Sequence, residues 1–311
     1  MNIKNVLFIS FIVLLLAGCA EDLFNGVDNN DNSENYNPDS TFSVVTWNVE
    51  YFPKQGVHTI NLMAEMIVDL NVDVFGLQEI TSTFYFNQLI DKINDLDSLN
   101  QWIGFRSGYG DYQELAYVIS ISSVNILDQP YLILNEYDHY FAYREPYVVK
   151  VSYMNHEFII INNHFKCCGD GVLDFDNESD EEKRRYNASN LLKEYIDTNL
   201  SDKNVIVLGD LNDDIAESPQ NNVFQMILDD TENYLFVDLE IANGKISGWS
   251  YPSWPSHLDH IIITNELFGE FNNAIYVQTL QLEESLNGEW NEYDQYISDH
   301  RPVGLHLVIN P

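Results

Sequence analysis

Val205-Ile206-Val207-Leu208-Gly209-Asp210-Leu211-Asn212 decides how the rest of the chain is read. A strand is predicted over 204–208, because a short run of β-branched and aliphatic residues bounded by turn formers reads as a buried strand. Gly-Asp-x-Asn then ends it, and all three residue types favour turns. A carboxylate and a carboxamide are thereby set at a strand exit, where loops on a rigid sheet carry chemistry. Taken alone, the same four residues also describe an ordinary turn.

Working outward, the pattern recurs. Further strands are predicted at Phe42–Asn48, Val72–Gln78, Leu115–Ser120, Tyr147–Tyr153, Phe158–Asn163, Leu258–Thr264 and Val303–Val308. Polar groups gather at their ends: Trp47-Asn48-Val49-Glu50, Leu77-Gln78-Glu79, Arg144-Glu145-Pro146, Asn163-His164 and Ser298-Asp299-His300-Arg301-Pro302. Helical periodicity marks Thr59–Leu70, Phe84–Leu96, Asp180–Leu200 and Asn222–Leu228. In the third, Ala188, Leu191, Leu192, Tyr195 and Ile196 form one apolar stripe. There is no repeat of fixed period, so residues 41–311 read as one large α/β domain.

The composition narrows the function. Of 311 residues, 45% are hydrophobic, enough for a large core and too many for a disordered chain. Asp and Glu number 49 against 14 Lys and Arg, a formal charge of −35. That excludes a basic nucleic-acid coat and favours capture of divalent cations. Three cysteines cannot make a disulfide scaffold. Upstream, Lys4 precedes an apolar run from Val6 to Ala17, too short to span a bilayer and suited to a signal peptide over residues 1–18. Its end, Leu16-Ala17-Gly18-Cys19, resembles a bacterial lipobox, which implies lipidation of Cys19. An Asn- and acid-rich tether follows at 19–40. Glu21-Asp22 is similar to an export tag of surface lipoproteins. The expected location is therefore the outer membrane or cell surface of a Gram-negative bacterium, a periplasm-facing anchor being the alternative. Only the lipid would reach the membrane; no transmembrane helix is expected in the mature chain.

In order, the strand-exit positions resemble the endonuclease/exonuclease/phosphatase superfamily, of which deoxyribonuclease I is the type member. The resemblance runs from Phe42 to Ile309: Asn48, Gln-Glu at Glu79, Gln-Glu at Glu114, Arg144 to Lys150, His164, Gly-Asp-x-Asn at Asp210 and Asn212, Ser-x-Leu-Asp-His-Ile at Asp259, and Ser-Asp-His-x-Pro-Val at Asp299 and His300. It implies a four-layer α/β sandwich, two packed and mainly antiparallel β-sheets flanked by helices. It also implies a phosphoesterase that uses Mg²⁺ or Mn²⁺, with Ca²⁺ a third option. Glu79 is the first-choice metal ligand, with Glu50 and Asp299 beside it. Glu50 matches the abasic-site endonuclease branch, whereas Arg144-Glu145-Pro146 is more like deoxyribonuclease I.

Phosphodiester hydrolysis needs in-line attack by water, neutralised phosphoryl oxygens and help for the leaving oxygen. His164 and His300 are the acid–base candidates, and the resemblance implies that Glu114 orients His164 and Asp259 orients His300. One assignment has His300 activating water and His164 serving the leaving oxygen; the reverse is equally compatible. Asp210 and Asn212 complete the catalytic set. Asn48, Arg144 and Lys166 are expected to bind phosphate, with Arg184 and Arg185 near Lys166. The other histidines, His260 included, are expected in structural or surface roles. The substrate class expected first is extracellular nucleic acid, cleaved by a monomer. A phospholipid (sphingomyelinase-like) or sugar-phosphate ester is the alternative, and a non-catalytic binding module the second. Two smaller features stand beside the set. Cys167-Cys168 follows His164 as either a strained vicinal bridge or two free thiols. Trp249, Tyr251 and Trp254 form an aromatic loop that either stacks a substrate ring or stiffens the fold.

Overall fold

Alternation along the first strand sets the architecture. In β1 (Thr41–Phe52), Phe42 and Val44 join the core between two sheets, while Val45 and Trp47 point the opposite way and are also buried. A strand buried on both faces must have layers on both sides. The computed structural model describes residues 40–108, 112–272 and 276–309. The expected signal peptide, Cys19 and the tether lie outside the described residues, apart from Ser40. Among the described residues no helix is long and apolar enough to cross a membrane.

After β1 come α1 (Val57–Leu70), β2 (Val74–Ile80), α2 (Thr83–Leu96), β3 (Trp102–Arg106) and β4 (Glu114–Ser120). Short strands β5 (Asn125–Ile126) and β6 (Tyr131–Leu132) lead into β7 (Tyr147–Tyr153), β8 (His156–His164), α3 (Glu181–Asn199) and β9 (Val205–Asp210). Then follow β10 (Tyr234–Phe236), β11 (Asp259–Thr264), β12 (Tyr276–Thr279), α4 (Glu289–Tyr296) and β13 (Val303–Val308), with short helical turns between them. One sheet has the order β12-β13-β1-β2-β4-β3 and the other β10-β11-β9-β8-β7-β5, with β6 also paired to β7. Each contains one parallel pair, β1–β2 and β8–β9, among antiparallel neighbours.

The sheets face each other through Phe42, Val44, Val74, Tyr117, Val149, Ile160, Ile206, Leu208, Ile261 and Leu305. Outside the second sheet, α3 lays Ala188, Leu192 and Ile196 on Val148, Ile161, Val205 and Val207. Helices α1 and α2 bury Met63, Ala64 and Ile67, and Phe86, Leu89 and Ile93. The result is the expected four-layer sandwich. Close packing leaves no room for a methyl at Gly76, where a Cβ would fall 2.3 Å from Leu208 Cδ1. The predicted strands and the three long helices recur within a few residues of their expected ends. Strands β3, β5, β6, β10 and β12 and helix α4 have no counterpart in the prediction.

Candidate active site

The space between the sheets is oily along most of its length and turns polar at one end. On β8 the inward column reads Phe158, Ile160, Asn162, His164, and on β9 it reads Ile206, Leu208, Asp210. On β11, traced backwards, it reads Ile263, Ile261, Asp259, and on β1 Phe42, Val44, Thr46, Asn48. Register then aligns the last residues: His164 pairs with Asp210 and Asp210 with Asp259. Gly209 permits this approach, since a Cβ there would lie 2.1 Å from Asn163 O. Glu79 reaches the same place by a different device. A register shift between Leu77 and Ile80, with φ 66° at Glu79, swings its carboxylate around at the strand exit. Tyr51 N–H then donates to Glu79 Oε2 at 2.9 Å.

The loop before β13 closes the site. Ser298 Oγ donates to Asn48 O at 2.6 Å and accepts from His300 N–H at 2.9 Å. Trp47 Nε1–H donates to Tyr293 Oη at 2.9 Å, and Tyr293 O–H to His300 O at 2.8 Å. Ser250 Oγ accepts from the backbone N–H of Asp259 at 3.2 Å. Tyr293 and Ser250 are supports that the sequence reading did not single out, and nothing in their spacing marks them.

Asn48 Nδ2–H donates to Asp210 Oδ2 at 2.8 Å. His164 Nε2 lies 3.5 Å from Asp210 Oδ2 and 3.9 Å from Glu79 Oε1. His300 Nδ1–H donates to Asp259 Oδ2 at 2.7 Å, while its Nε2 stands 3.9 Å from both Asp210 Oδ2 and Asp299 Oδ1. Glu50 Oε2 accepts from Asp299 N–H at 3.0 Å and pairs with Lys54. Asn212 N–H donates to Asp210 Oδ1 at 3.1 Å. Asn48, Glu50, Glu79, His164, Asp210, Asn212, Asp299 and His300 line a cavity of about 540 Å³ whose wall also includes Tyr51, Tyr251, Trp254, Cys167 and Cys168, while Asp259 stands behind His300 and Lys54 behind Glu50. The Tyr251 ring lies 4.7 Å from that of His300; Trp249 instead donates to Ile241 O at 3.1 Å, a structural bond.

The two histidines differ in charge. Burial pushes His164 well below its ordinary value, with Arg144 and His300 adding to the effect. Burial would lower His300 too, but Asp259 and then Asp210 hold it up, at about 10. Asp210 is raised to about 7, chiefly by burial. His300 is therefore an imidazolium and His164 a neutral imidazole at pH 7. Four wall carboxylates (Glu50, Glu79, Asp210 and Asp299) offer hard oxygen donors. The ligand atoms of Asp210, Asp259 and His300 also lie within 4.8 Å of one another, a cluster whose proton on His300 already offsets its carboxylates. No Lys or Arg lines the cavity among the described residues. This donor set fits a hard divalent cation.

Five of the expected site residues do not face the cavity. Alternation on β4 turns Leu115, Tyr117 and Ile119 inward, so Glu114 points away and accepts from Ser107 Oγ at 2.9 Å. His164 Nδ1 is buried without a hydrogen-bond partner. Arg144 is buried and spends its guanidinium on His164 O, Phe165 O and Gln113 Oε1, bracing the loop rather than facing the cavity. Lys166 folds over Cys167 O at 2.7 Å and does not line the wall. Likewise Arg185 is locked against Asp213, and Arg184 caps His139 O. His260 lies on the far side of β11, where Asp238 bonds both His257 (2.9 Å) and His260 (2.6 Å). Ser250 N–H and Asp213 O occupy the remaining ring nitrogens, so protons already satisfy this buried cluster.

The model of the Endonuclease/Exonuclease/phosphatase family matches residues 17–303. The chain belongs to this family. Members of the endonuclease/exonuclease/phosphatase family are phosphoester hydrolases that depend on divalent metal, so this chain is a hydrolase of that type. Solved structures share its fold. Zebrafish (D. rerio) TDP2 complexed with single strand DNA product has a TM-score of 0.62 at 14% identity, over 86% of this chain and 99% of that one. The human Nocturnin catalytic domain with bound sulfate anion has a TM-score of 0.58 at 16% identity, over 86% and 94%. A family protein from Bacteroides thetaiotaomicron has a TM-score of 0.55 at 16% identity, over 89% and 100%. A comparison with curated proteins finds no significant match.

Proposed function

We propose that this family member is a divalent-metal-dependent nuclease that cleaves single-stranded or short nucleic-acid fragments, anchored outside the cytoplasm through Cys19. The carrying observation is the convergence of Asn48, Glu79, His164, Asp210 and His300 on one cavity, with Asp259 behind His300. Glu79, with Glu50 and Asp299 beside it, would hold the divalent ion, which would supply neutralisation of the phosphoryl and leaving oxygens. Asp210, raised toward neutrality, accepts the proton of the attacking water. Asn48 and Asn212 hold the Asp210 carboxylate in place. His300, kept charged by Asp259, donates from Nε2 to a phosphoryl oxygen, the role for which a preorganised charged donor is most effective. His164, neutral, stands beside Glu79 and Asp210 at the leaving-group side.

The substrate preference is argued from the wall. Tyr51 and Trp254 are 62% and 78% exposed, which leaves ring faces open for base stacking. Among the described residues the wall has no Lys or Arg for a long polyanion to grip. The same exposed rings suit a lipid phosphodiester, the second reading. The test incubates the chain with Mn²⁺ or Mg²⁺ and, in parallel, plasmid, single-stranded DNA, RNA oligonucleotides and sphingomyelin vesicles. Chelator-sensitive cleavage of the single strands is expected. Turnover of sphingomyelin alone moves the assignment to the second reading, and no hydrolysis of any substrate ends both.

A further inference from the structure

Cys167 and Cys168 are both exposed and both line the catalytic cavity. In extended backbone, neighbouring side chains point to opposite sides. Here Cys168 takes a φ of 72°, and the two sulfurs come together 3.0 Å apart, with Cys168 S–H donating to Cys167 Sγ. The backbone around them is clamped. Arg185 Nη1 donates to Lys166 O and to Cys168 O, each at 2.7 Å, and Arg185 is itself buried against Asp213. Arg144 holds His164 O at 3.2 Å and Phe165 O at 2.9 Å, and Phe165 N–H donates to Asp210 O at 2.9 Å. Two thiols are thus pre-placed against each other on a fixed frame, three residues beyond His164, and neither has a part in the hydrolysis.

We propose that Cys167 and Cys168 form a reversible modification site in the cavity wall, closed to a vicinal disulfide by a low-molecular-weight disulfide and reopened by thiols, with closure slowing the hydrolysis. The second half rests on the phosphoesterase reading. Cys167, which accepts the hydrogen bond and has Lys166 Nζ 3.7 Å from its sulfur, attacks the S–S bond of the oxidant. One oxidant sulfur leaves as a thiol. Cys168 sulfur then displaces the second oxidant thiol from Cys167, forming Sγ–Sγ. The two cysteine protons end on the two released thiols, and the oxidant takes the two electrons that the protein loses. Adjacent Cα atoms stand about 3.8 Å apart, below the usual disulfide range of about 4.4–6.8 Å, so the closed ring is strained and easily reduced. Closure draws the sulfurs from 3.0 Å to about 2.05 Å while Arg185 holds the carbonyls on either side, so the movement falls on the 167–168 peptide beside the reacting groups.

The test treats the full chain with glutathione buffers of graded redox state, then maps the peptide that contains both cysteines and measures phosphoester hydrolysis in parallel. The bridged peptide is expected under oxidising buffers, with a rate lowered at least about fivefold, since misplacement of about 1 Å near reacting groups costs up to about 100-fold. Dithiothreitol restores the rate. Cys168→Ser stops at a glutathione adduct on Cys167, and in the double Ser variant neither the mapped peptide nor the hydrolysis rate responds to the buffers. Thiols that stay free throughout, or a bridge that leaves the rate unchanged, overturn the proposal. A reduced chain inactive on every phosphoester removes the proposed function and the rate effect together, while the peptide map still decides the thiol chemistry.

Discussion

His164 and His300 share one cavity and have opposite fates. Both are desolvated, which favours the neutral ring. His300 escapes because the Asp259 carboxylate accepts a 2.7 Å hydrogen bond from its Nδ1–H and favours the charged ring; His164 Nδ1 has no partner and Arg144 stands behind it. Asp259→Asn should therefore return His300 to the neutral form at pH 7 and cost turnover about 10²- to 10⁴-fold. Nitrogen-resolved NMR of the imidazole checks the first half: wild-type His300 stays protonated at pH 8, and the variant does not. A variant ring still protonated at pH 8 rules out Asp259 as the source of the charge. Asn48, Glu79, Asp210 and His300 were legible as polar residues at strand ends, and Asp259 only through the family resemblance. The direction of a side chain at a strand's first residue was not, because spacing alone does not say which face of β4 turns inward. Glu114 is the case in point.

Among the elements, α3 holds the clearest unread signal. Arg185 precedes Ala188 by three residues and so falls on the buried stripe with Leu192 and Ile196. Its periodicity already argued for an internal role, although its sign invited a phosphate-binding one. Buried Arg185 sits between Asp213 (2.7 Å) and Glu182 (3.3 Å). Removing one partner of a buried set leaves charges uncompensated, so Arg185→Met is expected to lose about 3–5 kcal/mol of stability. Urea denaturation of the two proteins measures this; a loss under about 1 kcal/mol means the carboxylates find solvent without the arginine. Strands β5, β6 and β10 escaped the reading for a simpler reason. At two or three residues each, they have no measurable period.

At the scale of the whole molecule, a formal charge of −35 acts on every approaching phosphate. The cavity wall has no compensating Lys or Arg among the described residues. Like-charge approach slows association, and salt screens it within about 10 Å at 0.1 M. The kcat/KM for a long single strand should therefore rise between low and moderate ionic strength at fixed Mg²⁺, while that for a small uncharged-tail phosphodiester stays level. Parallel titrations with NaCl decide this, and a fall for the long strand would reveal a basic contact outside the cavity. None of this was hidden in the sequence: the charge excess was plain, and what the fold adds is where the few cations are spent.

The order in which the strands leave the ribosome has its own consequence. β1 is paired on one side with β2, made soon after it, and on the other with β13, made after every other described strand. Asn48 and Glu79 emerge long before the Ser298–Pro302 loop that brings His300 to them. A nascent or prematurely terminated chain therefore displays a bare strand border, a site for adhesion to other chains, and possesses no hydrolytic capacity. Competence waits for the segment that carries His300 to close on β1.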